Sequence, residues 1–248
     1  MVSSSLSKHY TLIQYPQMMM SFVMVYLLIS FTSCMFRDYY YKVVRIKQLI
    51  VIHNVLSILF SMYMFVGILH HTRRQNYTWV GNEIDDLDTT LAHYVWVFHL
   101  TKYYECMDTF IMILRKSYRQ ITLLHVYHHA SMIMFTWTVL YAHPGGDFYL
   151  GPLLNSFVHI WSYLYYLCVG FMNKQNKVKY LWWSKYLTQL QIIQFFINLF
   201  HSVYAMKNTT HDRYVFQIGL FHQLSFIVLF GKFYLDKYKK KLKFIHLN

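Results

Sequence analysis

Charge is scarce in this chain. Only 13% of its 248 residues are Asp, Glu, Lys or Arg, against about 25% in soluble domains. Acidic residues are scarcer still, 10 against 23 Lys and Arg. Three prolines and eight glycines leave no low-complexity linker, so a single domain over 1–248 is expected. The three cysteines, Cys34, Cys106 and Cys168, fall in different apolar stretches. They form neither a disulfide framework nor a metal-ligand spacing and read as small hydrophobes.

Apolar residues are abundant instead: 56% are hydrophobic and 20% aromatic. A membrane span needs about 20 mostly apolar residues, and seven stretches qualify: 17–36, 49–69, 93–114, 121–142, 150–171, 181–206 and 213–235. In lipid the backbone must satisfy its own hydrogen bonds, so these are helices. The first stretch lacks the basic flank and small-residue cleavage site of a signal peptide and is long enough to span. An all-α integral membrane protein is expected, with the bilayer as its first partner.

The net charge of +13 does not indicate nucleic acid. Its basic residues sit in short clusters between spans: Arg37, Lys42, Arg45 and Lys47; Arg115, Lys116 and Arg119; Lys174, Lys177 and Lys179; and Lys237, Lys239, Lys240, Lys241 and Lys243. The intervening loops are poorer in Lys and Arg, and one carries Glu83, Asp85, Asp86 and Asp88. The positive-inside rule then puts the N-terminus in the lumen and the C-terminus in the cytosol. The sequons at Asn76 and Asn208 fall on the lumenal side in this topology.

Polar residues recur inside the apolar stretches. The densest group is His125-Val126-Tyr127-His128-His129. Positions i, i+3 and i+4 share a helix face, so the three imidazoles point one way. A charge in mid-bilayer costs about 2.5–3.5 kcal/mol on insertion scales, and even neutral polar groups there are functional candidates. Other stripes are Lys102, Glu105 and Asp108-Thr109; Asn155, Ser156, His159, Ser162, Tyr163 and Tyr166; and Thr188, Gln191, Gln194, Asn198 and His201. In the expected topology these faces overlap in depth and line a polar chamber open to the cytosol. Lys102 and Glu105 also have the spacing of a structural ion pair, and the Gln/Asn stripe that of interhelical glue.

Two chemistries suit the histidines. Neutral imidazoles ligate zinc or iron. Imidazole is also a base or nucleophile near neutrality. The metal reading leads to membrane di-iron desaturases and hydroxylases, which need several histidine boxes where this chain has one; His70-His71 lies on the opposite side. A non-enzymatic seven-helix transporter or receptor is the other alternative, but the two halves show no repeat of the kind many transporters carry.

The motifs resemble those of the ELO family of very-long-chain fatty acid elongases. Lys102 to Thr109 matches KxxExxDT, His125 to His129 matches HxxHH, and Thr188-Gln189-Leu190-Gln191 matches TQxQ. His159 to Tyr166 matches HxxMYxYY, with Ser162 in place of Met. Leu153 to Phe157 and Lys179 to Trp183 are similar to further family signatures. The likeness covers roughly residues 30–240 in family order.

The resemblance implies seven helices, six of them enclosing an acyl-chain tunnel in the endoplasmic reticulum membrane. It implies a 3-ketoacyl-CoA synthase that condenses acyl-CoA with malonyl-CoA and needs no cofactor or metal. Separate reductases and a dehydratase act as partners, and a homo-oligomer is possible. It implies His128 as nucleophile, with His125, His129 and His159 assisting. Lys102, Glu105, Asp108, Asn155, Tyr163, Tyr166, Thr188, Gln191 and Gln194 are the expected substrate-binding residues. Lys102, Glu105 and Asp108 are expected to hold the third span against the fourth. The His-Val-Tyr-His-His form of the box inclines towards very long acyl chains.

Overall fold

The structure is a computed structural model that describes residues 5–10, 13–36, 46–84, 89–172, 174–208 and 213–245. The expected topology signals Arg37, Lys42, Arg45, Asp85, Asp86 and Asp88 lie outside the described residues, as do Thr209 and Thr210 of the second sequon. So do the side chains of Lys174, Lys177, Lys239, Lys240, Lys241 and Lys243.

The described residues form nine α-helices: α1 (Pro16–Met35), α2 (Lys47–Arg74), α3 (Thr89–Glu105), α4 (Met107–Leu114), α5 (Leu123–Ala142), α6 (Leu150–Phe171), α7 (Lys174–Tyr180), α8 (Ser184–Asn208) and α9 (Arg213–Ile245). All seven expected apolar stretches are helical. Three helical segments are both long and apolar enough to cross a membrane on composition alone: Pro16–Met35, Lys47–Arg74 and Arg213–Tyr238. α3 with α4, α5, α6 and α8 carry the polar stripes instead, and such helices turn their polar residues to a protein interior. The chain is a helical integral membrane protein. Much of the outer surface of α1, including Met24, Leu28 and Phe31, is exposed, as suits a face towards lipid tails.

Two boundaries differ from expectation. The third stretch is one helix by composition but two in the structure. At the junction the Cys106 N–H bonds to the Tyr103 carbonyl, and the Thr109 N–H to the Cys106 carbonyl. These i→i−3 bonds tighten one turn into 3-10 form. The short helix α7 also stands in what reads as a basic loop.

The closest helix pairing is α2 with α6. His53, Asn54, Ser57 and Ser61 form a buried stripe of polar, mostly small residues along α2. Small side chains let backbones approach and gain packing energy where no hydrophobic drive operates between helices. Gly67 serves α3 in the same way, since a Cβ there would run into the Tyr94 ring. A main core gathers Met64, Ile68, Leu91, Val95, Phe98, Leu140, Leu150, Phe195 and Phe226. A second, smaller one joins Val23 and Tyr26 of α1 to Ala130 and Ile133 of α5.

A cap covers one end of the bundle. Gly146 adopts φ +54°, a left-handed conformation open mainly to glycine, and a Cβ there would sit 2.7 Å from the Asn82 carbonyl oxygen. The tight turn brings Asp147, 2% exposed, under the loop that follows α2. Its carboxylate accepts from the Gly81 N–H at 2.9 Å, the Asn82 N–H at 2.8 Å and Asn82 Nδ2 at 2.8 Å. His201 Nε2 lies 2.9 Å from the Trp79 carbonyl oxygen, pinning the same loop to α8.

Candidate active site

The histidine box occupies the first two turns of α5. Thr122 caps this helix, its hydroxyl accepting from the His125 N–H at 3.2 Å, which satisfies one of the free donors of the first turn. From there the 3.6-residue repeat sets the three imidazoles on one face. The His125 and His129 rings are 4.6 Å apart and those of His128 and His129 5.2 Å.

Each ring has a different environment. His125 Nε2 is 2.8 Å from Thr109 Oγ1, which is itself 3.0 Å from the Tyr26 hydroxyl. His125 is therefore held by α1 and α4. His129 is buried, with Tyr26 beside it. His128 faces the aromatic side of α9, 5.1 Å from the Phe226 ring and 6.1 Å from that of Phe230. An unprotonated ring nitrogen held among apolar groups keeps its lone pair free for chemistry.

A second cluster links α3 to α6. Lys102 is 1% exposed. Its Nζ donates to Glu105 Oε1 at 2.7 Å and to Asn155 Oδ1 at 2.9 Å, and it stands over the Phe98 ring at 4.2 Å. Glu105 Oε1 is also 3.3 Å from His159 Nδ1. Glu105 Oε2 is buried without a partner among the described residues. Such a pair survives burial only with close geometry and further hydrogen bonds, which Asn155 and His159 supply. The Glu105 carboxylate thus orients the His159 ring through Nδ1.

Asp108 forms a third node. Oδ1 is 3.0 Å from His53 Nε2, and Oδ2 accepts from the Tyr163 hydroxyl at 2.9 Å. The expected contact of Lys102, Glu105 and Asp108 with the fourth span is thus corrected. All three reach α6, and Asp108 reaches α2 as well; only Thr109 bonds to α5. Lys102, Glu105 and Asp108 share the face that packs on α6, whereas Thr109, about 100° further round the helix, turns to α5.

A narrow cavity of about 70 Å³ runs between α3, α5, α6, α8 and α9. Phe98, Met132, Asn155, Phe195 and Phe226 line it near the two clusters; Asp147, Phe148 and His201 line it at the capped end. Gln194 and Asn198 also face it. Thr188 is buried and Gln191 half-buried, and neither is among the cavity-lining residues. Tyr166 departs most from expectation. It is 46% exposed, edge-on to Tyr163, on the outer side of α6. Among the described residues, no group of three or more His, Cys, Asp or Glu has the geometry to hold a metal ion.

Several site residues escaped the sequence reading. His53 and Tyr26 belong to stretches that read as plain anchors. Asp147 lies in a turn, where an acidic residue is unremarkable. Of these, His53 carried the clearest signal, an ionisable group within an apolar run.

Fold and site together define a membrane-embedded helical protein in which a free imidazole and a carboxylate-held imidazole stand beside, but outside, the lining of a narrow, mostly apolar cavity. Residues 11–244 match the ELO family, described as the GNS1/SUR4 family. The chain belongs to that family. It is 35% identical over 202 residues to very long chain fatty acid elongase 2 of Mus musculus, covering 79% of this chain and 68% of the relative. It is 37% identical over 206 residues to very long chain fatty acid elongase 5 of Xenopus tropicalis, covering 80% and 68%. Very long chain fatty acid elongase 5 of Tachysurus fulvidraco is 32% identical over 228 residues, covering 90% and 76%.

Proposed function

We propose that this protein is a condensing enzyme of fatty acid elongation, joining a long-chain or very-long-chain acyl-CoA to malonyl-CoA. The products are 3-ketoacyl-CoA, carbon dioxide and CoA. Family membership supports the reaction. The observation that carries the mechanism is His128, held beside aromatic rings while His125 is bonded to Thr109 and His159 to Glu105.

The acyl tail occupies the cavity, which serves as the closed acyl tunnel, with Asn155 and Gln194 in its wall. The His128 lone pair attacks the thioester carbon, the C–S bond breaks, and CoA leaves as a thiolate, so that the acyl group rests on an imidazolium that keeps its ring proton. Malonyl-CoA then binds and loses carbon dioxide. The electron pair released forms an enolate that attacks the acyl carbon and expels neutral His128. Splitting one acyl transfer into two steps is the usual gain of covalent catalysis. His159, oriented through Nδ1 by Glu105, assists decarboxylation. The Asn155 amide N–H donates to developing oxyanion charge, where a water-poor site makes it effective, while Lys102 stays paired with Glu105. No metal enters this scheme.

Seven spans cross the endoplasmic reticulum membrane in this reading: α1, α2, α3 with α4, α5, α6, α8 and α9, with the basic loops in the cytosol. Arg115, Lys116, Arg119 and Lys179 then flank the mouth and attract the CoA phosphates. Elongation-cycle reductases and a dehydratase consume the product.

Purified protein incubated with labelled malonyl-CoA and a ladder of acyl-CoAs tests the reading by mass spectrometry. The expected result is 3-ketoacyl-CoA two carbons longer than the substrate. Absence of product with every chain from folded protein overturns it.

A further inference from the structure

The cavity wall is not uniformly apolar. Gln194 and Asn198 of α8 face it, and so does Gln223 of α9. Gln223 is 9% exposed, and its Oε1 is buried with no hydrogen-bond partner among the described residues. A saturated hydrocarbon chain leaves such amides desolvated and unpaired, an arrangement native sites avoid.

The depth of these groups follows from the helices. Phe195 and Phe226 are in ring contact at 5.1 Å, and Phe226 touches His128. Asn198 lies three residues beyond Phe195 and Gln223 three before Phe226, in both cases towards the capped end lined by Asp147. At 1.5 Å per residue that is roughly 4.5 Å past the His128 level. The polar group of a matching ligand therefore sits in the part of the acyl chain nearer its thioester.

The chemistry narrows the ligand. The buried Gln223 oxygen lacks a donor, and the Gln194 and Asn198 amides in the same cavity wall offer both donors and acceptors. A keto oxygen or a double bond only accepts. A hydroxyl does both, and it serves either orientation of the Gln223 amide. Resting on the elongase reading, we propose that the cavity is built for an acyl chain bearing a hydroxyl group in its thioester-proximal half, held by Gln194, Asn198 and Gln223.

The test is a competition of equimolar octadecanoyl-CoA, a polyunsaturated analogue, a keto analogue and a positional series of hydroxyoctadecanoyl-CoAs, with wild-type enzyme and Gln223→Leu. Wild type is expected to favour proximal hydroxy chains over the saturated chain by roughly tenfold in kcat/KM, the scale of one buried hydrogen bond to a fixed group. Gln223→Leu is expected to erase or reverse that ratio while still elongating the saturated chain. Elongation with no hydroxyl preference, or with equal preference for keto or unsaturated chains, overturns the inference and leaves the elongase reading intact; ordered water then satisfies the amides. No product from any acyl-CoA overturns both. The wild-type ratio decides the matter even if the variant does not fold.

Discussion

Glu105 and His159 meet across the α3–α6 interface, with Oε1 3.3 Å from Nδ1. The same oxygen receives the Lys102 ammonium at 2.7 Å, so one carboxylate both neutralises a buried cation and orients an imidazole. Removing either partner has separable consequences. Lys102→Met strands a buried carboxylate and is expected to cost about 3–5 kcal/mol of stability, seen as a lowered melting temperature in detergent. Glu105→Gln keeps the shape but leaves the buried Lys102 ammonium unpaired, a comparable loss of stability, and also removes the charge that orients His159. Its expected signature is kcat lowered by roughly tenfold or more with KM little changed.

Thr109 ties His125 to Tyr26. Thr109→Val removes both bonds while preserving volume. It is expected to lower kcat by roughly ten- to a hundredfold through misplacement of the histidine face, with substrate affinity nearly unchanged. Steady-state kinetics with a saturating acyl-CoA check this.

His128→Ala is expected to abolish condensation and the acyl-protein adduct that accumulates when malonyl-CoA is withheld. His125→Ala is expected to slow adduct formation without abolishing it. Intact-protein mass spectrometry after rapid quench measures the adduct. An undiminished adduct in His128→Ala would place the nucleophile elsewhere.

Asp147 clasps the loop across the capped end of the cavity. Asp147→Ala orphans three donors and is expected to cost about 1–3 kcal/mol. The loosened end wall is expected to shift products towards longer chains, read from the product ladder. Gly146→Ala acts on the same turn through a strained left-handed residue, a penalty of about 1–2 kcal/mol. Because the two share the Asn82 contact, the double variant is expected to be less than additive.

Local periodicity carried the sequence reading a long way. The apolar stretches became helices, with α6 over 150–171 at the expected bounds. The histidine box presents one face, as i, i+3, i+4 spacing requires on any helix. The sequence by itself determined which residues are polar within apolar helices, and so where a site had to be sought, because that follows from chain-local spacing and the cost of polar groups in lipid. Only the tertiary structure decided which partners those residues take. Asp108 meets His53 across 55 residues and Asn82 meets Asp147 across 65. Tyr166 turned outward although it lies on the same nominal stripe as His159. Asp108 meets α2 and α6 while its neighbour Thr109 meets α5. Such pairings depend on helix rotation and packing, which emerge only when all the faces compete for one interior.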